Sequence, residues 1–142
     1  LRSGFENAYV VAPDKNATPG ARRLAETING EVGWVEKTRD KETGFVSSSE
    51  GVLNPAGRKT ILIDDIISTG GTIIEAIKLL KNKGASQISV ACVHGIFVGN
   101  AYERIMNAGA SSILSSDTVE TPYSNISVAG DVVSTLREKG WL

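Results

Sequence analysis

The sequence predicts an α/β fold: a three-layer domain around a sheet of about five parallel strands. Three observations carry this. Short β-rich runs alternate with segments of helical periodicity. Thr60-Ile61-Leu62-Ile63 is a continuous apolar run, as expected of a strand covered on both faces. The 142 residues are 41% hydrophobic and 22% charged, ordinary usage for one domain, residues 1–142, with a core of its own.

The elements follow in order. Ala8-Tyr9-Val10-Val11-Ala12 reads as a strand stopped by Pro13. Ala21, Leu24, Ala25 and Ile28 stand at i, i+3, i+4 and i+7, which is helical spacing, and Asn29-Gly30 ends that helix. Val32 to Val35 is a second strand. The charged stretch Glu36-Lys37-Thr38-Arg39-Asp40-Lys41-Glu42 runs on to Gly44, and Phe45 to Leu53 is extended before a turn at Asn54-Pro55-Ala56-Gly57. After the buried strand at Thr60, the segment Gly71 to Lys83 is a helix with Ile73, Ala76, Ile77 and Leu80 on one stripe and Gly84 at its end. Ile88 to Val93 is a strand, about Asn100 to Asn107 a helix, and Ser111 to Ser115 a further strand. Ala129, Val132, Val133 and Leu136 form the apolar stripe of a last helix that ends near Gly140. Strands alternating with helices of this length make βαβ units, and in such sheets ligands bind beyond the carboxyl ends of the strands.

Composition narrows the function. Fifteen basic residues stand against 16 acidic ones, a net charge of −1, which argues against a protein that coats DNA or anionic lipid. The few aromatic residues are too scattered for a nucleic-acid stacking platform. Cys92 is the one cysteine, so no disulfide forms within the chain; it reads as a small core residue and suits a reducing cytoplasm. No apolar run approaches a membrane span. The chain opens on Leu1 and its one methionine is Met106, which suggests a trimmed start or a piece of something longer.

Three segments carry chemistry. Ile63-Asp64-Asp65-Ile66-Ile67-Ser68-Thr69-Gly70-Gly71-Thr72 joins the buried strand to a helix start. Adjacent strand residues point to opposite faces, so the two carboxylates do different work. Gly70 and Gly71 let backbone amides curl around an anion, and Ser68, Thr69 and Thr72 add hydroxyl donors next to a positive helix end. Carboxylates for sugar hydroxyls beside an amide nest for phosphate suit a sugar phosphate. The plainer reading is a helix start capped by Thr69 or Thr72. Val11-Ala12-Pro13-Asp14-Lys15-Asn16-Ala17 is the second segment, where Asp14 is either a ligand-facing carboxylate or a turn-former after Pro13. The third is Glu36-Lys37-Thr38-Arg39-Asp40, whose plain reading is a solvated mixed-charge hairpin. His94, the only histidine, reads as a satisfied packing residue.

Residues 61–72 resemble the phosphoribosyl pyrophosphate signature of the type I phosphoribosyltransferase fold: hydrophobic strand, acidic pair and a T-G-G-T end, in register. In that family the loop grips the ribose 5-phosphate group and the acidic pair meets the ribose hydroxyls. The segment around Pro13-Asp14 resembles ribose-phosphate pyrophosphokinases, which have two such domains in tandem; it departs at Asn16, where a glycine is usual, although Asn tolerates a left-handed backbone. Lys37 and Arg39 match the spacing of the two cations on that family's catalytic loop. Val93-His94-Gly95-Ile96-Phe97 and Ile126-Ser127-Val128-Ala129 extend the likeness from about residue 8 to the end.

The resemblance implies diphosphoryl transfer from ATP to C1 of ribose 5-phosphate, giving phosphoribosyl pyrophosphate and AMP. It assigns Asp64, Asp65, Ser68, Thr69, Gly70, Gly71 and Thr72 to ribose 5-phosphate, Asp14 to Mg²⁺ and the diphosphate, and Lys37 with Arg39 to the ATP phosphates. It also implies a C-terminal catalytic half that works with a missing N-terminal domain, in a homo-oligomer. The alternatives are a stand-alone phosphoribosyltransferase acting on a nucleobase, and a non-catalytic nucleotide or sugar-phosphate sensor.

Overall fold

A computed structural model describes residues 2–39, 46–49 and 53–142, with side chains for 4–36 and 53–142. After a short helix α1 (Arg2–Phe5), the chain runs β1 (Tyr9–Ala12), α2 (Thr18–Thr27), β2 (Glu31–Trp34), β3 (Glu36–Arg39), β4 (Val46–Ser49), β5 (Lys59–Ile67), α3 (Gly71–Asn82), β6 (Gln87–Gly95), α4 (Ala101–Ala108), β7 (Ser112–Ser115) and α5 (Ala129–Glu138). Five strands form one all-parallel sheet in the order β2-β1-β5-β6-β7. β3 and β4 form a separate antiparallel ribbon in which Lys37 pairs with Ser48 and Arg39 with Val46. The three-layer α/β expectation holds.

The strand pleat sorts the apolar residues into two cores. Tyr9, Val11, Leu62 and Val90 pack with Ile73, Ile77 and Leu80 of α3 and with Ala101 and Ile105 of α4. Val10, Ala12, Ile61 and Ala91 pack on the other face with Ala21, Ala25 and Ile28 around α2. β5 is therefore covered on both faces, as its unbroken apolar run requires. Cys92 is buried and carries no disulfide, and burial pushes its thiol pKa up.

Two strand ends and one helix face differ from the sequence reading. β5 and β6 run on to Ile67 and Gly95, so Asp64 and Asp65 sit on a strand and not in a loop. The ladder sustains them: Asp64 pairs with Cys92, and Ile66 with His94. The stripe of α5 is not a core face, because no residue of α5 is buried and Val132 is 51% exposed. Residues 40–45 and 50–52, parts of the charged and extended stretches, lie outside the described residues.

The β6–α4 connection is held tightly. Phe97 adopts φ +49° and sets its ring edge-on, at 5.7 Å, against both Tyr102 and Tyr123. Ile96 and Phe97 both donate amide hydrogens to Ile67 O, and Val98 donates to Ser68 O, so this turn braces the end of β5.

Leu62 is fully buried, between β1 and β6. Leu62→Ala is expected to lower stability by about 2–5 kcal/mol, measured by denaturant unfolding.

Candidate active site

The strand order brings the site together. The chain passes from β1 outward to β2 and returns on the other side of β1 as β5, so the path reverses between β1 and β5. A crevice opens beyond the strand ends at such a point. Val11 lies opposite Leu62, so Asp14, just past the end of β1, and the Asp64-Asp65 pair, further along β5, stand at neighbouring places.

Asp14 does the turn work expected of an Asp after proline. Its Oδ1 accepts the Asn16 amide at 2.8 Å and the Ala17 amide at 3.2 Å. Its charge also reaches Asp64. Asn16 is not among the residues with positive φ, so a glycine is not needed there for backbone reasons, contrary to the expected left-handed turn.

Asp64 is partly buried and Asp65 exposed. Burial is the largest influence on Asp64 and lifts its pKa from 3.8 to about 6. The Asp65 amide, donating to Asp64 Oδ1 at 3.0 Å, pulls the other way, while the carboxylates of Asp65 and Asp14 push it further up. Asp65 Oδ1 accepts the Ile66 amide at 2.8 Å.

Beyond Ile67 the chain turns through Ser68-Thr69-Gly70 into α3. Neither Thr69 nor Thr72 caps the helix. The N-cap is Gly70 at φ +74°, with no side-chain cap bond, and Ile74 donates its amide to Gly70 O at 2.9 Å. The first turn of α3 thus opens without a side-chain acceptor at its cap, which is the arrangement an anion completes. A cavity of about 190 Å³ lies against Asp64, Ser68, Thr69, Gly70, Gly71 and Thr72. A second, of about 210 Å³, lies against Asn16, Ala17, Arg23, Asp64 and Asp65. Asp64 belongs to both.

The structure therefore brings together Asp14, Asp64, Asp65 and residues 68–72. Lys37 and Arg39 lie on β3, directly after Val35, whose amide is held by Ala12 O at the end of β1. Only their backbone is described. Arg23, which lines the second cavity, escaped the sequence reading; the signal available was its place on the helix that follows the Pro13-Asp14 turn. Among the described residues no group of three or more His, Cys, Asp or Glu is placed to hold a metal. His94 is a satisfied residue, as expected: its Nδ1 bonds the Thr118 hydroxyl at 2.8 Å, and that hydroxyl donates to Val93 O. Among the described residues no helix is long and apolar enough to cross a membrane.

A family model, phosphoribosyl transferase domain, matches residues 1–128. The ribose-phosphate pyrophosphokinase of Methanobrevibacter smithii is 41% identical over 143 residues, covering 94% of this chain and 48% of that protein. The ribose-phosphate pyrophosphokinase of Sulfurisphaera tokodaii is 38% identical over 135 residues, covering 94% of this chain and 46% of that protein. The chain thus spans about half the length of the curated relatives it matches. Among solved structures, the phosphoribosylpyrophosphate synthetase of Mycobacterium smegmatis superposes with a TM-score of 0.75 at 28% identity, over 95% of this chain and 45% of that one. An APRTase from Giardia lamblia, with a TM-score of 0.63 at 19% identity over 76% of this chain and 67% of that one, shares the fold.

Two outcomes follow from this geometry. A Cβ on Gly70 would stand 2.9 Å from Ile105 Cδ1. Gly70→Ala is expected to cost about 1–2 kcal/mol for the left-handed backbone alone, plus the clash; adding Ile105→Val, which lacks Cδ1, should relieve only the clash in thermal unfolding. Separately, the folded chain holds the Asp64 proton more tightly than the unfolded chain, so Asp64's contribution to stability falls as pH rises from 3.8 through about 6. Asp65→Asn removes a charge that raises Asp64 and should bring its titration down, as read by carboxyl carbon NMR.

Proposed function

The chain belongs to the phosphoribosyl transferase domain family, and from that premise we propose that it supplies the ribose 5-phosphate half of a ribose-phosphate diphosphokinase site. In this reaction the C1 oxygen of ribose 5-phosphate forms a bond to the β-phosphorus of ATP. The bond from that phosphorus to the oxygen bridging to the α-phosphorus breaks, AMP leaves, and the C1 hydroxyl loses its proton. No covalent enzyme intermediate is required, so positioning and charge stabilisation set the rate.

The observation that carries this reading is the α3 entry turned by Gly70, set beside Asp64 and Asp65 at the reversal between β1 and β5. Residues 68–72 take the 5-phosphate, with the amides and hydroxyls of Ser68, Thr69, Gly70, Gly71 and Thr72 as donors. Asp64 and Asp65 accept from the ribose hydroxyls. The names of the relatives support the reaction. Lys37 and Arg39, on β3, are assigned to the ATP phosphates.

Magnesium fits the acidic corner. Asp14 uses Oδ1 for its turn, and its second oxygen faces no hydrogen-bond donor among the described residues. Magnesium usually takes one or two carboxylates, keeps several waters and completes its shell with substrate phosphates. One protein carboxylate near an anion site suits that habit better than it suits a cage. When bound, the ion offsets charge on the diphosphate.

On this reading residues 1–142 act as one domain. A second domain and neighbouring subunits of a homo-oligomer complete the ATP site, and the enzyme works in the cytoplasm. The overlap with about half of each relative supports the second domain.

The test uses the full-length protein. Thr72→Ala or Asp65→Asn should weaken ribose 5-phosphate by about 10- to 100-fold in calorimetry, as expected for a lost bond to a charged group, with the fold intact. Lys37→Ala should lower the rate of AMP release by about 10²–10³-fold. Unchanged ribose 5-phosphate affinity would reduce the loop to a helix entry. Pyrophosphate release with nucleobases, in place of AMP release, would move the assignment to a phosphoribosyltransferase.

A further inference from the structure

A third cavity, of about 290 Å³, lies outside the site just described and is lined by Lys15, Thr18, Pro19, Arg22 and Trp34. It shares only Pro19 with the Asp64–Asp65 cavity. Its walls are chiefly apolar, formed by the Trp34 indole, the Pro19 ring and the stems of two basic side chains. At this volume it sits at the small end of the range for small-molecule sites.

Two features mark it as unfinished. Trp34 Nε1 and Thr18 Oγ1 are buried polar atoms with no hydrogen-bond partner among the described residues, an uncommon state for such atoms. The cations at the rim are also weakly engaged. Among the described residues Arg22 forms no ion pair, and Lys15 meets only Glu36, at 3.8 Å, with both side chains half or more exposed. Such a pair yields readily to a better anion. α2 opens here without a side-chain cap and with no acidic residue in its first turn, so the local field favours negative charge.

We propose that this cavity binds a small anion carrying a flat ring, of the nucleoside monophosphate class. The ring lies against Trp34 and Pro19, and the phosphate meets Arg22 and Lys15. An aromatic floor and paired cations each suit one half of such a ligand, and a bare ring or a bare anion uses only one of them. A small shift of the covering side chains on binding gives the indole N–H or the Thr18 hydroxyl its missing acceptor. The site stands at the root of β3, because Glu36, the partner of Lys15, immediately precedes Lys37.

The test is calorimetry on the full-length protein with GMP, guanosine and inorganic phosphate, together with the Trp34 indole N–H resonance in ¹⁵N-labelled protein. GMP is chosen because the proposed diphosphokinase reaction neither consumes nor forms it. The proposal expects GMP to bind about tenfold or more tighter than either part alone, and to shift the Trp34 indole signal. Arg22→Ala, at an exposed position, should weaken GMP about tenfold without disturbing the fold. Thr72→Ala and Lys37→Ala should leave GMP affinity unchanged. Absence of GMP binding, equal affinity for guanosine, or loss of GMP binding in Thr72→Ala with retention in Arg22→Ala would overturn it. Failure here leaves the ribose 5-phosphate assignment standing, since that rests on Asp65 and Thr72.

Discussion

Strand β5 is hydrogen-bonded to β1 on one side and to β6 on the other, and the rest of the molecule is arranged around that double pairing. A strand in this position has no free edge and no free face. Its apolar residues Ile61 and Leu62 therefore serve opposite cores. The pairing with β6 lasts through Ile67, longer than that with β1, which ends at Leu62. Where β1 stops, β5 presents Asp64 to a crevice on one side while the β6 ladder still holds its backbone. A polar group can be kept partly dehydrated there without loosening the strand that carries it.

The electrostatics of the crevice come from position more than from composition. A chain with net charge −1 has no basic surplus to draw anions in. The region that suits an anion is instead the entry to α3, turned by a left-handed glycine and left without a side-chain cap. Beside it Asp64 is pushed up to about 6 by burial and by two neighbouring carboxylates. The donor-rich entry to α3 and the partly buried Asp64 carboxyl thus stand side by side at one cavity.

Much of this was legible in the sequence. The continuous Thr60–Ile63 run and the alternation of strand and helix predicted the parallel sheet, and the acidic pair before S-T-G-G-T pointed to the candidate site. The likeness to a known signature narrowed the chemistry further. Other features were not legible. The expected Thr cap at α3 did not form, because the left-handed Gly70 takes that place. The stripe on α5 reads as a core face, yet no described element covers it. Periodicity reports that a face is apolar, not that a partner exists to bury it.

The sequence by itself determined most of the local events: where the main strands and helices of the sheet lie, where turns fall, and which residue types stand together along the chain. Those follow from side-chain shape and backbone preference within a few residues. Only the tertiary structure decided that Asp14 and Asp64 are neighbours, that Arg23 joins their crevice, and that Trp34 closes a separate cavity with Lys15 and Arg22. The reason is the strand order. Residues fifty positions apart meet because the chain crosses back past β1 to form β5, and no pattern within a short window records that crossing.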